Sequence, residues 1–334
     1  MVNAQAEARP ALRVAFFGTP TFAVPSLEHL LRSQHVLVGV VTQPDRPRGR
    51  GQRQSDSPVK RVALESNLPL LQPDRVRDPA VIDALHNWQM DLGVVAAYGK
   101  ILPPSLLRLP RYGMINVHAS LLPKYRGAAP IQRAVMAGET ETGITIIRLI
   151  EALDAGPMLG MATRHIEPDE TAEEVEHDLS FLGAALLMSV IDDVAAGSAL
   201  EENQDPSQAS YAPRLSKAEG LIDWTKSARH IHNQIRGLYP WPHAFTYLDG
   251  VRYIILKSRV ESQTATPSEG SGARAGQIVR ASGDDLTVRA GDTAVGILSI
   301  QPEGRRPLNT REFLAGHAVR PGQAFGGPDE RASS

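Results

Sequence analysis

The sequence of 334 residues contains no cysteine. This excludes a thiol nucleophile, a disulfide framework and any cysteine-ligated zinc or iron–sulfur site. Long hydrophobic runs are missing too. The stretch from Met1 to Pro10 lacks the apolar core of a secretory signal, and no later stretch has the ~18–20 uncharged apolar residues of a membrane span. We therefore expect a cytoplasmic protein without a membrane partner. Any catalysis must use groups other than a thiol.

A strong excess of either charge is also absent. The sequence has 35 Lys and Arg residues and 37 Asp and Glu residues, which gives a net charge of −2. A protein with this balance does not coat nucleic acid by bulk electrostatics. Residues 205–334 carry a small excess of basic side chains, which is only a weak indication of a nucleic-acid partner for that part.

The composition is that of an ordinary globular protein. Hydrophobic residues make up 42% of the sequence and charged residues 22%, so most of the chain should bury enough apolar surface to offset its ordering entropy. The length exceeds the usual size of one hydrophobic core, and we therefore predict two domains.

Strands alternate with helical segments in the N-terminal part. The apolar spacing after residue 24, and again over residues 59–66, predicts helices, and Thr171 with Glu174 forms a capping box for a helix to about Ala196. This alternation favours an α/β fold with a mostly parallel sheet and helices on both faces. The strand candidates are Leu12–Phe17, Val36–Val41, Leu92–Ala97, Met114–Val117 and Ile144–Leu149.

The composition changes after residue 200. We assign residues 1–200 to a first domain and the polar stretch 201–213 to an extended linker. Over residues 214–320, short β-rich runs separated by Gly, Asp and Ser predict a small antiparallel barrel. Residues 321–334 are expected to form a disordered tail.

The densest cluster of reactive side chains lies between Met114 and Pro130. Asn116 and His118 alternate along a predicted strand, so both side chains point to one face near its C-terminal end. Ligands bind at that end in open α/β sheets. An amide beside an imidazole supplies donors for a developing oxyanion and a proton shuttle that titrates near neutrality, and acyl transfer needs both.

A structural role is the alternative for Asn116 and His118. An isolated Asn-x-His more often satisfies buried backbone groups at a strand end. Asp154 shifts the balance towards catalysis, because it follows another predicted strand, where its carboxylate would orient or charge the imidazole. On its own, an Asp shortly before a Gly-Pro pair is more often a turn residue.

Several motifs follow one another in a fixed order between Arg13 and Gly316. They are Phe17–Ala23, Gln43–Gly51, Pro58–Lys60, Tyr98–Pro103, Asn116–Pro130, Tyr211–Leu215, Ile222–Trp224, Ile235–Pro240 and Ala244–Thr246. Together they resemble the methionyl-tRNA formyltransferase family. The sequence departs from the family pattern at Ala152 and Ala155, where the family more often has Gly and Thr, which makes the local loop geometry near Asp154 harder to predict.

The resemblance implies a Rossmann-like, mostly parallel formyltransferase domain followed by a small OB-like β-barrel. It implies a monomeric, metal-independent enzyme that transfers the formyl group of 10-formyltetrahydrofolate to the free amino group of methionyl initiator tRNA. The family's catalytic trio falls on Asn116, His118 and Asp154. Its folate-contacting segment falls on Ser120, Leu121, Leu122 and Pro123.

Four arginines lie within eight residues of a segment interrupted by Pro and Gly, which cannot form a stable helix. By resemblance this is the loop that enters the acceptor arm of the tRNA, where guanidinium groups bind phosphates and stack on unpaired bases. A solvated surface loop is the alternative. We favour the tRNA loop, because the segment follows the second predicted strand, at the sheet edge of Asn116 and His118. The arginines are Arg46, Arg48, Arg50 and Arg53.

The start of the predicted barrel carries four further basic residues, which we expect to follow the tRNA backbone. They are Lys217, Lys226, Arg229 and Arg236. Trp224 and Trp241 would also be able to stack on bases, although core packing is the more common use of tryptophan.

Three other functions fit parts of the sequence. A dinucleotide-binding dehydrogenase would need the G-x-G-x-x-G spacing, which the Gly-Thr-Pro at Gly18 lacks. A folate-dependent formyltransferase or deformylase acting on a small molecule would share Asn116, His118 and Asp154, but would leave the arginine loop and the second domain unexplained. A non-catalytic tRNA-binding module would not explain the catalytic trio.

Overall fold

The computed structural model describes residues 10–45, 47–48, 53–262 and 273–327. The chain forms two compact units. The first unit comprises the chain up to residue 130, together with residues 141–165 and 176–212. The second unit comprises residues 131–140, 166–175 and the chain from residue 213 onwards. The two short inserted segments, 131–140 and 166–175, had been placed by sequence within a continuous first domain.

The first unit is built on a seven-stranded sheet. Its strand order is β10-β9-β7-β6-β1-β2-β5, with parallel pairing from β5 to β7 and antiparallel pairing of β7 with β9 and of β9 with β10. The strands of this unit are β1 (Arg13–Gly18), β2 (Val36–Val41), β3 (Pro47–Arg48), β4 (Arg53–Gln54), β5 (Leu70–Leu71), β6 (Leu92–Ala96), β7 (Met114–His118), β8 (Arg126–Gly127), β9 (Glu141–Arg148), β10 (Met158–His165) and β11 (Tyr211–Ala212). The mostly parallel sheet predicted from sequence is confirmed.

Burial explains which strands are central. All five residues of β6 are buried, as are the last five of β1, so these strands are covered on both faces and read as continuous apolar runs. None of the eight residues of β10 is buried: the first three are half-buried, and exposed and half-buried residues alternate after them. That pattern fits its place at the edge of the sheet, and the sequence reading had missed this strand.

Eight α-helices occur in the described part of the chain. They are α1 (Val24–Leu31), α2 (Pro58–Glu65), α3 (Pro79–Asn87), α4 (Pro104–Leu107), α5 (Pro130–Ala137), α6 (Ala172–Ala196), α7 (Ala228–Gly237) and α8 (Thr310–Gly316). The capping box of α6 forms as predicted: Glu174 N–H donates to Thr171 Oγ1 and Thr171 N–H donates to Glu174 Oε2. Among these helices, α6 has the length and apolar composition of a membrane span, and half of its apolar window is buried, as in the core helix of a globular protein.

The second unit contains an antiparallel sheet of six strands. The strand order is β12-β13-β16-β15-β14, and β17 pairs with β16. The strands are β12 (Ala244–Leu248), β13 (Val251–Val260), β14 (Ile278–Ser282), β15 (Asp285–Arg289), β16 (Ala294–Pro302) and β17 (Leu308–Asn309). Helices α7 and α8 pack against this sheet, and Trp224, Tyr253 and Phe313 lie in the core between them.

The two edge strands of this sheet are joined by residues that we had predicted to be disordered. Gly326 pairs with Tyr247 of β12, and Ala324 pairs with Gln277 beside β14, so the segment closes the sheet. Phe325 between them is 1% exposed. The prediction of a disordered tail is therefore wrong for residues 321–327, because Phe325 belongs to the core. Residues 328–334 lie outside the described residues.

Arg236 was predicted to follow the tRNA backbone, but it is only 5% exposed. Its guanidinium donates to the carbonyl oxygens of Val135 and Glu170 and to the side chain of Asn233. These contacts attach the inserted segments to α7, which explains why residues 131–140 and 166–175 belong to the second unit. Arg236 is a structural residue, and its prediction as a tRNA contact is wrong.

Candidate active site

The two predicted strand residues lie on β7, next to the parallel core of the sheet. Asn116 pairs with Ile147 and His118 with Thr145 on β9, two positions apart on each strand. Side chains two residues apart on a strand share one face of the sheet. His118 is 5% exposed and Asn116 is half-buried. The C-terminal end of β7 therefore places an imidazole and an amide on one face, as predicted.

The imidazole of His118 is held by a backbone carbonyl. Its Nε2 lies 3.0 Å from the carbonyl oxygen of Tyr125. A carbonyl oxygen only accepts hydrogen bonds, so Nε2 carries the proton and Nδ1 of the neutral ring carries a lone pair. Tyr125 has a φ of 61°, in the left-handed region that few non-glycine residues adopt. The carbonyl group of this strained residue thus fixes both the orientation and the tautomer of His118.

Asp154 lies beside the free nitrogen of this ring. Its Oδ2 is 3.7 Å from His118 Nδ1, and the carboxylate side chain is 11% exposed. The same Oδ2 accepts a hydrogen bond of 2.9 Å from the Gly127 N–H. Asp154 is also left-handed, with a φ of 46°. The structure therefore brings Asp154 and His118 together through two strained backbone positions, and such strain clusters at functional sites.

The protonation of His118 follows from its surroundings. Burial lowers the pKa of His118 below its ordinary value, the negative charge of Asp154 and the Tyr125 carbonyl act against that decrease, and the positive charge of Arg126 adds to it. The imidazole is thus neutral at neutral pH and has a lone pair at Nδ1 that can accept a proton.

The predicted folate segment turns away from β7 with its side chains unequally exposed. Ser120 and Leu122 are buried, whereas Leu121 and Pro123 are half-buried. Ser120 Oγ donates to the Lys124 carbonyl at 2.6 Å, so this hydroxyl is already used within the protein. A folate contact by this segment would therefore use its backbone or the two half-buried side chains.

Sequence reasoning missed a buried Arg–Gln pair beside these loops. Arg126 is 6% exposed and Gln204 is 8% exposed. Arg126 donates from Nε and Nη2 to Gln204 Oε1, at 3.1 and 2.6 Å. Arg126 belongs to a motif quoted above, but Gln204 lies in a polar stretch without periodicity. No local signal in that stretch would have identified it.

The arginine loop is described only at its base. The backbone of β3 pairs with that of β4, Pro47 with Gln54 and Arg48 with Arg53. Arg46 and Arg50 lie outside the described residues, and the side chains of Arg48 and Arg53 do as well. The tRNA contacts of these four arginines therefore stay a prediction.

An ion-pair network fixes the two ends of this loop. Lys60 at the start of α2 binds the carboxylate of Asp45 and, at 2.7 Å, that of Asp56. Gln72 donates to the other oxygen of Asp45 at 3.0 Å. The hydrogen bonds from Lys60 and Gln72 lower the pKa of Asp45, so it stays ionised. The motif containing Lys60 thus holds the loop ends beside the sheet.

In the second unit, the two tryptophans differ. Trp224 is 4% exposed, stacks on Phe325 at 6.0 Å and donates from Nε1 to Thr246 Oγ1 at 3.0 Å. It is a core residue, as its more common use suggests. Trp241 is 51% exposed, which leaves its indole available for stacking.

In the described ranges, no group of three or more His, Asp or Glu side chains is arranged to hold a metal ion.

Comparisons with known proteins agree with the two-part fold. The sequence matches the family model "Formyl transferase" over residues 12–191 and "Formyl transferase, C-terminal domain" over residues 214–318. Among solved structures, the sugar 3N-formyl transferase WlaRD superposes with a TM-score of 0.64 at 18% identity, over 89% of this chain and 100% of that one. HypX from Aquifex aeolicus, in complex with tetrahydrofolic acid, has a TM-score of 0.62 at 14% identity, over 91% of this chain and 47% of that one. The class is that of the formyl transferases.

The sequence relatives are more specific. The methionyl-tRNA formyltransferase of Geobacter sulfurreducens is 44% identical over 315 residues, which are 94% of this chain and 97% of the relative. That of Caldanaerobacter subterraneus subsp. tengcongensis is 45% identical over 312 residues, which are 93% of this chain and 99% of the relative. The chain belongs to the methionyl-tRNA formyltransferase family, as the sequence motifs had indicated.

Proposed function

We propose that this enzyme transfers the formyl group of 10-formyltetrahydrofolate to the free amino group of methionyl initiator tRNA, in the cytoplasm. Family membership supports the reaction class. Within the structure, the observation that carries the proposal is the pair formed by His118 and Asp154, in which two proton acceptors face each other across 3.7 Å.

This pair fits a primary amine. Nδ1 of neutral His118 and Oδ2 of Asp154 are both acceptors, and 3.7 Å is too long for a hydrogen bond between them. An amine has two N–H groups and can donate one to each acceptor. Both acceptors would hold the amine with its lone pair directed away from them, towards a formyl carbon bound at the end of β7.

The proposed reaction is balanced within this site. The amine nitrogen attacks the formyl carbon, an N–C bond forms and the carbonyl oxygen becomes an oxyanion, to which the Asn116 carboxamide donates. His118 Nδ1 takes the proton that the amine loses. The bond from the formyl carbon to N10 of the folate then breaks, and N10 receives the proton from the imidazolium. Asp154 stabilises that imidazolium by its charge.

Substitution of Asn116 by alanine should lower kcat by about 10²–10³-fold, the usual cost of losing one oxyanion donor. Asn116→Asp is the matched variant, because it keeps the shape of the side chain and removes the N–H donors. Both variants should therefore lose activity in a single-turnover formyl-transfer assay while their thermal unfolding stays near that of the wild type. Near-full activity of Asn116→Ala would rule out the oxyanion role.

We also propose that the arginine loop between β2 and α2 binds the acceptor arm of the tRNA. The network of Lys60, Asp45 and Asp56 supports this, because it fixes both loop ends near β2, whose C-terminal end lies on the ligand-binding edge of the parallel strands. The four arginines provide guanidinium groups that bind phosphates and stack on unpaired bases.

Replacing Arg48 and Arg50 together by alanine should weaken tRNA binding and lower its dependence on salt. If each arginine contacts one phosphate, the slope of log affinity against log salt concentration should fall by about one per arginine. Arg75→Ala with Arg77→Ala is a matched control, since it removes the same charge at the same spacing from two exposed positions of the first unit. Equal salt slopes for the two double variants would refute the loop assignment.

The proposed reaction is tested by offering the enzyme 10-formyltetrahydrofolate with methionyl initiator tRNA or with free methionine. We expect formylation of the charged tRNA only, and its loss in a His118→Ala variant. Formylation of free methionine at a comparable rate would indicate a small-molecule formyltransferase. Release of formate without a formylated product would indicate a deformylase.

A further inference from the structure

The polar stretch at residues 201–212, predicted as an extended linker, is a docked part of the first unit. Glu202 exchanges two backbone hydrogen bonds with Met158 on β10, and β11 pairs in parallel with β8. Ser210 O accepts the Arg126 N–H at 2.9 Å. We call residues 201–212 the strap. Its backbone runs beside both loops that carry the candidate active site.

The strap inserts one buried side chain between those loops. Gln204 uses its whole carboxamide: Oε1 accepts two hydrogen bonds from Arg126, while Nε2 donates to the carbonyl oxygens of Asp154 and Gly156, each at 2.8 Å. A buried amide with both N–H groups and its oxygen satisfied in this way has a single preferred orientation. Gln204 thereby joins the Arg126 loop to the Asp154 loop.

The Asp154 loop needs such a contact. Asp154 is left-handed, a conformation that costs free energy for a non-glycine residue and persists only where its surroundings hold it. Gln204 holds the carbonyl of that same residue, and Gly127, next to Arg126, holds its carboxylate. Both contacts on Asp154 thus depend on the position of the strap.

We propose that Gln204 is a positioning residue, which acts through Asp154 and Arg126 to hold the carboxylate beside His118. This inference rests on the proposed function, in which Asp154 and His118 act on the amine. Gln204 itself contacts no reacting atom, so its effect should appear in kcat and little in the KM for the folate donor.

A second contact of the strap reaches His118. Ser210 Oγ accepts the Tyr125 N–H at 2.9 Å, and the carbonyl of Tyr125 accepts the hydrogen bond from His118 Nε2. Tyr125 is the second left-handed residue of the site. The strap therefore supports the two strained residues on which the geometry of the pair depends, one through Gln204 and one through Ser210.

Gln204→Glu separates the two functions of the carboxamide. The carboxylate still accepts from Arg126, but it cannot donate to Asp154 O or Gly156 O and repels both carbonyls. We expect kcat to fall about 100-fold, the order of loss that a displacement of about 1 Å causes, with the folate KM changed less than threefold. Gln208→Glu is the matched control, because it makes the same change on an exposed strap residue whose side chain bonds to Asp205, and it should retain kcat.

Ser210→Ala tests the second contact without a change of charge. The charged groups that act on His118 are Asp154, which raises its pKa, and Arg126, which lowers it; the Tyr125 carbonyl also raises it. A looser Tyr125 should lower the pKa of His118, so the acidic limb of the kcat/KM profile should move to lower pH. Ser210→Thr keeps the acceptor and should restore the wild-type limb. A purely structural role would change stability and leave this limb in place.

The outcomes separate this inference from the proposed function. If Asp154→Asn loses activity while Gln204→Glu matches Gln208→Glu in kcat, Gln204 is not a positioning residue and the catalytic roles stand. If Asp154→Asn retains wild-type kcat, the proposed roles of Asp154 and His118 are wrong, and the inference on Gln204 loses its basis. Loss of activity in Gln204→Glu with an unchanged thermal midpoint and an unchanged folate KM supports the positioning role. A matching rise in KM would overturn it in favour of a binding role.

Discussion

Replacement of His118 by alanine should lower kcat for formyl transfer by about 10²–10⁴-fold. The reason is the loss of the proton acceptor at Nδ1, and this is the range that a positioned general acid–base contributes. The measurement is single-turnover transfer at saturating donor and tRNA. Tight binding of both substrates should persist, because the imidazole lies 5% exposed at the strand end and acts on the reacting nitrogen rather than on the body of either substrate.

His35→Ala is the matched control for this substitution. His35 is another buried histidine of the first unit, 6% exposed, and its Nδ1 accepts the Leu12 N–H far along the chain from β7. Its removal should reduce stability, yet the folded fraction should keep its kcat. If the two histidine variants lost kcat equally, His118 would be a packing residue, which is the alternative reading of the Asn-x-His pattern.

The pH profile of the wild type also tests the role of His118 as the proton acceptor. Because burial lowers the pKa of His118, the acidic limb of kcat/KM should lie below the ordinary histidine value of about 6.5, and the rate should be level above it. Asp154 raises this pKa, so Asp154→Asn should move the limb to still lower pH in whatever activity remains. A limb above the ordinary value would mean that burial does not govern the pKa of His118.

The proximity of Asp154 and His118 was predicted correctly, but for an incomplete reason. Asp154 was placed beside the imidazole only because it follows another predicted strand. In the structure β9 runs antiparallel to β7, and Leu149 N–H donates to Met114 O at the start of β7. His118 lies four residues further along the strand, roughly 13 Å at the usual rise. The Asp154 loop must therefore bend back along β7 to reach it.

The residues that support this bend were beyond sequence reasoning. Periodicity identifies strands and the side chains that share a face, and so it located Asn116 and His118. Gln204 follows Arg126 by 78 positions and lies in a segment without periodicity. Such contacts depend on how separate segments pack, and local pattern does not record them. The role of Arg236 was equally hidden from local pattern. Its charge suggested a nucleic-acid contact, but its guanidinium binds backbone carbonyls of two distant segments.

Phe325→Ala should destabilise the second unit by about 3–5 kcal/mol, the usual cost of truncating a fully buried phenylalanine. Phe325 is 1% exposed, stacks on Trp224 at 6.0 Å and meets Tyr253 edge-on at 6.2 Å. Typical domain stabilities are about 5–15 kcal/mol, so this is a large share of the total. Urea unfolding followed by tryptophan fluorescence is suited to the measurement. Trp224 is 4% exposed in the folded protein and becomes exposed to solvent when the second unit unfolds. Phe181→Ala, at a half-exposed position of α6, is the control and should cost about 1 kcal/mol or less.

A comparison of Phe325→Ala with a truncated chain separates the side-chain packing of Phe325 from the closure of the sheet. Phe325→Ala leaves the backbone pairs of Ala324 with Gln277 and of Gly326 with Tyr247 in place. A chain that ends at Arg320 loses the side chain and these pairs, and it exposes the edges of β12 and β14, whose unpaired N–H and C=O groups favour association with other strands. The truncated chain should therefore be less stable than Phe325→Ala and more prone to aggregation. If it matched the wild type in both properties, residues 321–327 would be the dispensable tail that the sequence had indicated.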